Sequence, residues 1–202
     1  MPFGRLAAPL MIGLALLLGG APTLAQTPTT PQTAPAPADS DKPLPRQPGD
    51  AFGEEVTLPP RTVIYLQGHA NWDNAYDTLV DAYKSLTQYL DKQGIKPNGP
   101  AMTIYTETDD TGFKFRAALP VAEAPPNLPK GDIAVGQAPS GKVLKFVHRG
   151  PYDAMDATYE SITAYLDDKG LEAKDMFIEE YVTDILKNPP DNLVVDIFVP
   201  VK

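Results

Sequence analysis

Hydrophobic and polar residues follow one pattern twice, in residues 61–121 and again in residues 141–201. Each copy has an apolar run, then apolar positions spaced by three and four residues, then two runs in which apolar and polar residues alternate. The three-and-four spacing predicts a helix with one buried side, and alternation predicts strands. Each copy therefore predicts a strand, a helix and two further strands, in two pseudo-symmetric modules at 52–121 and 132–202.

The two predicted helices are the most clearly marked elements. The first covers about residues 74–93 and the second about residues 151–169. Gly94 and Gly170 follow them, as expected for glycine C-caps. The buried stripes consist of Leu79, Tyr83, Leu86 and Leu90 in the first helix and of Met155, Tyr159, Ile162 and Leu166 in the second.

The opening strand of each module is predicted to be long and bent at proline. These strands cover 54–67, with Pro59 and Pro60 inside, and 132–148, with Pro139 inside. Because proline has no amide hydrogen to donate, we expect a bend or a bulge at these positions rather than a straight strand.

Two more strands complete each module. An Asp-Asp-Thr-Gly turn joins the first pair as a hairpin, and a longer loop at 184–191 joins the second pair. A proline-rich linker, residues 122–131, separates the modules. This order predicts an α+β fold with one antiparallel sheet and two helices on one face. The predicted strands are 101–107, 113–119, 177–183 and 193–199.

Residues 1–25 are typical of a secretory signal peptide. Arg5 precedes an apolar run at 6–20, and small residues place the cleavage site after Ala25. The run is short for a transmembrane helix, so retention as an anchor is the weaker interpretation. Residues 26–51 are rich in Pro, Thr and Ala and predict a disordered tether. The expected location is periplasmic or secreted, with no membrane insertion after signal removal.

Composition narrows the classes of partner. The 202 residues include 17 Lys and Arg against 26 Asp and Glu, a net charge of −9 at pH 7. This balance disfavours nucleic acid and mildly favours cationic ligands. The chain has no cysteine, its two histidines form no metal motif, and it has no phosphate-binding glycine loop. We expect neither a metal nor a cofactor, and the pattern specifies no protein partner.

One face of the predicted sheet carries the candidate chemistry, because strand residues alternate between faces. Aromatic walls beside one carboxylate suit a flat, apolar and positively charged molecule. Two alternatives stay open: Glu179 lies in solvent, or Glu180 is the inward residue. Trp72 either caps the core or covers a ligand. The candidate binding residues are Glu179, Tyr181, Tyr105, Phe177, Thr103 and Trp72.

The second module resembles the GyrI-like small-molecule-binding family, which includes the effector-binding domains of AraC- and MerR-type multidrug regulators. The resemblance covers 52–202 and depends on three motifs: Val-His-Arg-Gly-Pro-Tyr-Asp at 147–153, Glu-Glu-Tyr at 179–181 and Asp-Ile-Phe-Val-Pro-Val at 196–201. It implies a ligand cleft between the modules, on the sheet face away from the helices. It also implies that Glu179, with Tyr181 beside it, meets cationic and lipophilic ligands.

The sequence also departs from the family. The Asp-Pro that usually follows the Glu-x-Tyr strand is replaced by Asp184-Ile185, Asp196 stands where Glu is common, and Thr103 stands opposite Glu179. A predicted signal peptide and tether precede the domain where regulators of the family carry a DNA-binding helix-turn-helix, and this difference disfavours a role in transcription control.

These observations predict an exported protein that binds a hydrophobic, cationic small molecule between two modules. Two alternatives belong to other classes. One is a hydrolase of small electrophilic compounds with Glu179 as general base, which we rank lower because no second catalytic group is apparent. The other is a protein-interaction module of the cell envelope.

Overall fold

The structure is a computed structural model that describes residues 42–125 and 131–202. The predicted signal peptide, most of the predicted tether and part of the predicted linker lie outside these residues. Neither helix in the described ranges is long and apolar enough to cross a membrane. The elements are β1 (Phe52–Leu58), β2 (Thr62–Asn71), α1 (Ala75–Gln93), β3 (Met102–Thr108), β4 (Gly112–Pro120), β5 (Ile133–Gln137), β6 (Gly141–Gly150), α2 (Met155–Lys169), β7 (Phe177–Tyr181) and β8 (Leu193–Val199).

All eight strands form one antiparallel sheet in the order β1-β6-β8-β7-β3-β4-β2-β5. The central pair is β7 and β3, one strand from each repeat. Outward from this pair, β8, β6 and β1 on one side correspond to β4, β2 and β5 on the other. The predicted α+β fold with an antiparallel sheet and two helices is confirmed, and the repeat corresponds to a pseudo-twofold relation about the central pair.

The two opening strands differ from the prediction of one long bent strand in each module. The chain breaks at Pro59-Pro60, so that β1 pairs with β6 while β2 pairs with β4 and β5. The second copy breaks in the same way around Pro139, between β5 and β6. Because proline lacks the amide donor, the ladder ends there and the two halves pair with different neighbours. The first strand of each module therefore pairs with the outer strand of the other module: β1 pairs with β6, and β5 pairs with β2.

Both helices end as the glycines predicted. Gly94 and Gly170 have φ values of 68° and 63°, in the left-handed region that glycine adopts without steric cost. A short 3-10 turn precedes each helix, Trp72–Asn74 before α1 and Tyr152–Ala154 before α2. The second helix therefore begins later than predicted, because Pro151 has extended backbone and caps the turn.

Both faces of the central sheet are buried. On one face, Leu79, Leu86 and Tyr83 of α1 pack with residues of both modules. The other face has its own apolar cluster, in which Met102, Ile104 and Ile178 are almost fully buried. The centre of the second face is thus shielded from solvent by apolar side chains, although neither α1 nor α2 packs against it.

The described end of the predicted tether contacts the domain. The amide of Leu44 donates to the carbonyl of Arg149 at 2.7 Å, where β6 continues beyond its pairing with β1. The guanidinium of Arg149 in turn donates to both carboxylate oxygens of Asp50. A bidentate pair of this kind holds its partner in one orientation. The expected disorder therefore does not extend through residues 42–51.

Candidate functional site

Glu179 lies at the centre of the sheet and is the inward carboxylate. It sits on β7 opposite Thr103 of β3, and 2% of its surface is exposed. Glu180 points to the other face, where its carboxylate accepts from the Arg61 guanidinium at 2.6 Å. The alternation of side chains along one strand thus places one glutamate in an ion pair and the other under the helices.

Three tyrosine hydroxyls donate to the Glu179 carboxylate. Tyr159 of α2 donates to Oε1 at 2.8 Å. Tyr105 and Tyr181 donate to Oε2 at 2.9 and 2.8 Å. A carboxylate accepts about four hydrogen bonds, two at each oxygen. Oε2 is therefore saturated, and one acceptor position is left at Oε1.

Burial raises the pKa of the Glu179 carboxyl, and the hydrogen bonds from Tyr159, Tyr181 and Tyr105 partly oppose that rise. Neutral donors stabilise the ionised form but do not supply a positive charge. The pKa values of the same three tyrosines are raised, first by burial and then by the charge of Glu179, so their hydroxyls stay protonated at neutral pH. The ionised carboxylate therefore lacks a counter-charge from these partners.

Glu179 lies at the bottom of a cavity of about 820 Å³. The cavity opens between the first residues of the two helices, Ala75 and Met155, and the β3–β4 hairpin. Tyr105 and Phe177 stack in its wall with ring centroids 4.3 Å apart. No Lys, Arg or His lines this cavity in the described part of the chain. The other aromatic and acidic lining residues are Trp72, Tyr152, Tyr159, Asp73, Asp109, Asp110, Asp153 and Asp156.

The cavity lies on the helix side of the sheet, and the expectation of a cleft on the opposite face is wrong. The hydroxyl of Tyr159 reaches Glu179 from α2, so the carboxylate and the helices share one side. On the opposite face at this position, Met102, Ile104 and Ile178 are buried in an apolar cluster. Space is left instead where the two helices begin.

The predicted site residues fall into two groups. Glu179, Tyr105, Phe177 and Trp72 line the cavity. Tyr181 and Thr103 lie behind the carboxylate and are not part of the cavity wall; the Tyr181 hydroxyl donates to Glu179 and lies 3.4 Å from Thr103 Oγ1.

Trp72 packs on the core and also lines the cavity. Its indole Nε1 donates to the carbonyl oxygen of Asp109 at 2.8 Å, and its ring lies 4.8 Å from that of Phe113. The side chain thus packs on the core and joins the turn before α1 to the β3–β4 hairpin. At 42% exposure it also forms part of the cavity's outer wall.

Tyr159 and Tyr152 line the site but were missed as site residues in the sequence. Tyr159 carried a usable signal, since its hydroxyl lies on a helical stripe that faces the sheet. Tyr152 stacks at 5.2 Å on Tyr76, its counterpart in the repeat. The turn carrying Tyr152 is held by His148, whose Nε2 donates to the Pro151 carbonyl at 3.1 Å and whose Nδ1 accepts from Thr158 at 2.8 Å. These two hydrogen bonds of His148 join the turn to β6 and to α2.

Comparison with known proteins assigns the family. The model of the GyrI-like small-molecule-binding domain matches residues 54–202. The chain belongs to the GyrI-like family. The resemblance inferred from the three sequence motifs is therefore confirmed, and the chain contains a small-molecule-binding domain of this family. No curated protein matches the sequence.

Solved structures show the same fold at low sequence identity. EcmrR in a DNA complex is 19% identical with a TM-score of 0.63, over 74% of this chain and 56% of that one. The isolated EcmrR C-terminal domain is 17% identical with a TM-score of 0.58, over 74% and 96% of the two chains. SAV2435 bound to tetraphenylphosphonium is 16% identical with a TM-score of 0.51, over 74% and 93%. This chain thus spans little more than half of the full EcmrR chain.

A hydrolase from Listeria innocua has the same fold as well. It is 14% identical with a TM-score of 0.51, over 74% of this chain and 91% of that one.

Within the described residues, no group of three or more His, Cys, Asp or Glu side chains is arranged to hold a metal ion.

Proposed function

We propose that this GyrI-like domain binds a lipophilic cation in the cavity above Glu179, as an exported protein. The observation that carries the proposal is a buried carboxylate that receives three neutral hydrogen bonds and faces an aromatic cavity without a basic side chain. Family membership supports small-molecule binding in general. The charge and the lipophilicity of the ligand are inferred from the site.

The energetic argument starts from the cost of ionising Glu179 in a buried position. A ligand cation about 4 Å away at an effective dielectric constant of about 20 gains roughly 4 kcal/mol of attraction before desolvation. Each aromatic face adds about 0.5–2 kcal/mol of cation–π attraction. An anion loses both contributions and meets several carboxylates at the cavity mouth. The site therefore favours a cation with apolar groups that cover the rings.

The aspartates around the mouth do not by themselves specify a cation. Asp73, Asp153 and Asp156 lie in the first turns of helical segments, where negative charge offsets the helix dipole. Asp109 Oδ1 accepts from the Thr111 amide and hydroxyl and from the Gly112 amide, which holds the hairpin. Glu179 has no such structural duty at a helix end or a turn, so the ligand charge is argued from it.

Two probes of equal shape and opposite charge test the proposal. Tetraphenylphosphonium, the ligand bound to SAV2435, is a suitable cation, and tetraphenylborate is its anionic counterpart. Titration calorimetry with the purified protein should give binding of the cation and much weaker binding of the anion. Equal affinity for the two probes would refute a charge-selective site.

Glu179→Gln is the decisive variant because it removes the charge and keeps the shape. Truncating one partner of a buried charge pair costs about 2–5 kcal/mol, so the cation affinity should fall by about thirtyfold or more. Glu160→Gln is the matched control: it makes the same change in net charge on an exposed position of α2, outside the cavity wall. The same loss in both variants would point to a general surface effect.

A hydrolase is the second candidate, favoured by two observations at Glu179. Its pKa is raised, which suits a general base, and Oε1 has one acceptor position left for a water proton. The test is product formation from small epoxides and lactones, which should be lost in Glu179→Gln. Absence of turnover in a protein that binds the cation would leave binding as the function.

An envelope protein-interaction module is less well supported. Such a module would be favoured by a cleft that is filled by its own side chains and by an exposed apolar patch elsewhere. The cavity is open instead, and the large exposed hydrophobic residues of the described chain are scattered singly. They are Leu44, Trp72, Leu171 and Val182.

Export is the second part of the proposal and has its own test. The basic start, apolar run and small-residue site of residues 1–25 support it. Cell fractionation followed by N-terminal sequencing should find a mature chain that begins at Gln26. A chain that keeps residues 1–25 in the cytoplasmic fraction would contradict export without affecting ligand binding.

A further inference from the structure

A chain of buried hydroxyls runs from Glu179 into the first module. Tyr181 donates to Glu179 Oε2 at 2.8 Å. Its oxygen lies 3.4 Å from Thr103 Oγ1, which lies 2.8 Å from the hydroxyl of Tyr83 on α1. All four residues are exposed by 2% or less. None of these hydroxyls except that of Tyr181 touches the carboxylate, and Thr103 and Tyr83 are not part of the cavity wall.

The number of hydroxyl protons determines the direction in which hydrogen bonds are donated along this row of hydroxyls. Tyr181 has one hydroxyl proton, which it gives to the ionised carboxylate, so its oxygen accepts from Thr103. The single proton of Thr103 is then used, so its oxygen accepts from Tyr83. All three hydroxyls therefore point the same way, toward Glu179. Hydrogen bonds in such a chain polarise one another and strengthen the last donor by about 10–30% per bond.

The repeat shows why the first module contributes in this way. Tyr83 and Thr103 occupy the positions of Tyr159 and Glu179, each pair 76 residues apart. In the second module Tyr159 donates to Glu179, and in the first module Tyr83 lies at the same distance from Thr103. One copy of the arrangement carries the carboxylate. The other copy carries a hydroxyl that accepts one hydrogen bond and passes on another.

We infer that Thr103 and Tyr83 are positioning residues that act through Tyr181 to orient its hydroxyl proton toward Glu179 and to stabilise the ionised carboxylate. The consequence for cation binding rests on the proposed function. The consequence for the carboxylate itself does not, because it exists in the ligand-free protein. The two parts can therefore be measured separately.

The groups around Glu179 allow its titration to be isolated. The tyrosines facing it have pKa values raised chiefly by burial, so they keep their protons in neutral solution. The aspartates of the cavity mouth line the same space, and the pKa of Asp109 is lowered by its hydrogen bonds within the hairpin. The facing groups are Tyr83 of α1, Tyr105 of β3, Tyr152 of the turn before α2, Tyr159 of α2, Tyr181 of β7, and Asp73, Asp109, Asp110, Asp153 and Asp156.

The first experiment follows the Glu179 side-chain carboxyl carbon by NMR during a pH titration of the ligand-free protein. Thr103→Val keeps the shape and removes the hydroxyl, so the titration midpoint should rise by about 0.3–0.7 pH units. Thr103→Ser restores a hydroxyl and should leave the midpoint near that of the wild type. Tyr83→Phe removes the far end of the chain and should give a smaller shift in the same direction.

A merely structural role for Thr103 gives a different result. Equal shifts in Thr103→Val and Thr103→Ser, or no shift in Thr103→Val and Tyr83→Phe, would overturn the inference. If Thr103→Val does not fold, Tyr83→Phe alone decides, because that change leaves Thr103 in place. In Tyr83→Phe an unshifted midpoint overturns the inference and an upward shift supports it.

The second experiment measures tetraphenylphosphonium affinity by calorimetry at a fixed pH below the wild-type Glu179 midpoint found in the first experiment, where the affinity follows the ionised fraction. Thr103→Val should weaken binding about two- to fivefold, the same factor as the shift in titration, while Thr103→Ser should bind like the wild type. The wild type could fail to bind the cation while the ligand-free titration still shows the expected shift. That result would contradict the proposed function and support the positioning role. A cation affinity that falls while the ligand-free midpoint stays constant overturns the positioning role.

Discussion

Removing the Tyr159 hydroxyl is the sharpest test of the charge state of Glu179. Tyr159 is the donor that comes from a helix, and it provides the hydrogen bond to Oε1 at 2.8 Å. Tyr159→Phe leaves the ring and deletes this bond. A hydrogen bond to a charged group contributes about 1.5–3 kcal/mol, and one between neutral groups about 0.5–1.5 kcal/mol. The loss of unfolding free energy therefore reports whether Glu179 is ionised.

The pH dependence follows from the raised pKa of Glu179 relative to the usual value of 4.5. The folded state holds this proton more tightly than the unfolded state. Stability from this group is therefore highest below the unfolded pKa and declines as pH rises toward the folded pKa, above which the loss is constant. Tyr159→Phe raises the folded pKa further, because the deleted bond stabilised the ionised form. The decline should be larger in the variant and should continue to a higher pH.

Urea unfolding followed by the fluorescence of Trp72 provides the assay. Tyr159→Phe should lose about 1.5–3 kcal/mol at a pH above the folded pKa of Glu179 and about 0.5–1.5 kcal/mol at a pH below it. Tyr165→Phe is the matched control, since it removes a hydroxyl on the same helix that donates to the neutral carbonyl of Gly53 at 3.2 Å. Its loss should be independent of pH. An equal loss of only about 0.5–1.5 kcal/mol at both pH values in Tyr159→Phe would refute an ionised Glu179 in the free protein.

Four further predictions concern binding and stability. Tetraphenylphosphonium affinity should fall about tenfold per pH unit below the folded pKa of Glu179, and calorimetry should find no such slope in Glu179→Gln. Leu79→Ala, in the fully buried stripe of α1, should cost about 2–5 kcal/mol in urea unfolding. Gly94→Ala should cost about 1–2 kcal/mol from backbone strain alone, because a Cβ there meets nothing within 4 Å. Arg149→Ala should release Asp50 and speed trypsin cleavage after Arg46, and an unchanged cleavage rate would show that the segment is held in another way.

The local features of this protein were readable from its sequence. Helix periodicity and the two terminal glycines place α1 and α2, because a buried stripe and a left-handed cap depend on neighbouring residues. Alternation along β7 put Glu179 and Tyr181 on one face, for the same reason. The repeat and the three motifs led to the correct family. The alternative of an inward Glu180 is excluded, because Glu179 is the buried carboxylate and Glu180 forms an ion pair with Arg61 on the other face.

Only the tertiary structure decided how these parts meet. The exchange of β1 and β5 between modules joins residues far apart in the chain, and a proline break in the sequence does not say where the freed half pairs. The side of the sheet that holds the cavity depends on which face fills itself with apolar side chains. The donors to Glu179 come from α2, β3 and β7, and their convergence requires the pseudo-twofold packing. Sequence periodicity determines which way a side chain faces, whereas long-range packing determines what it faces.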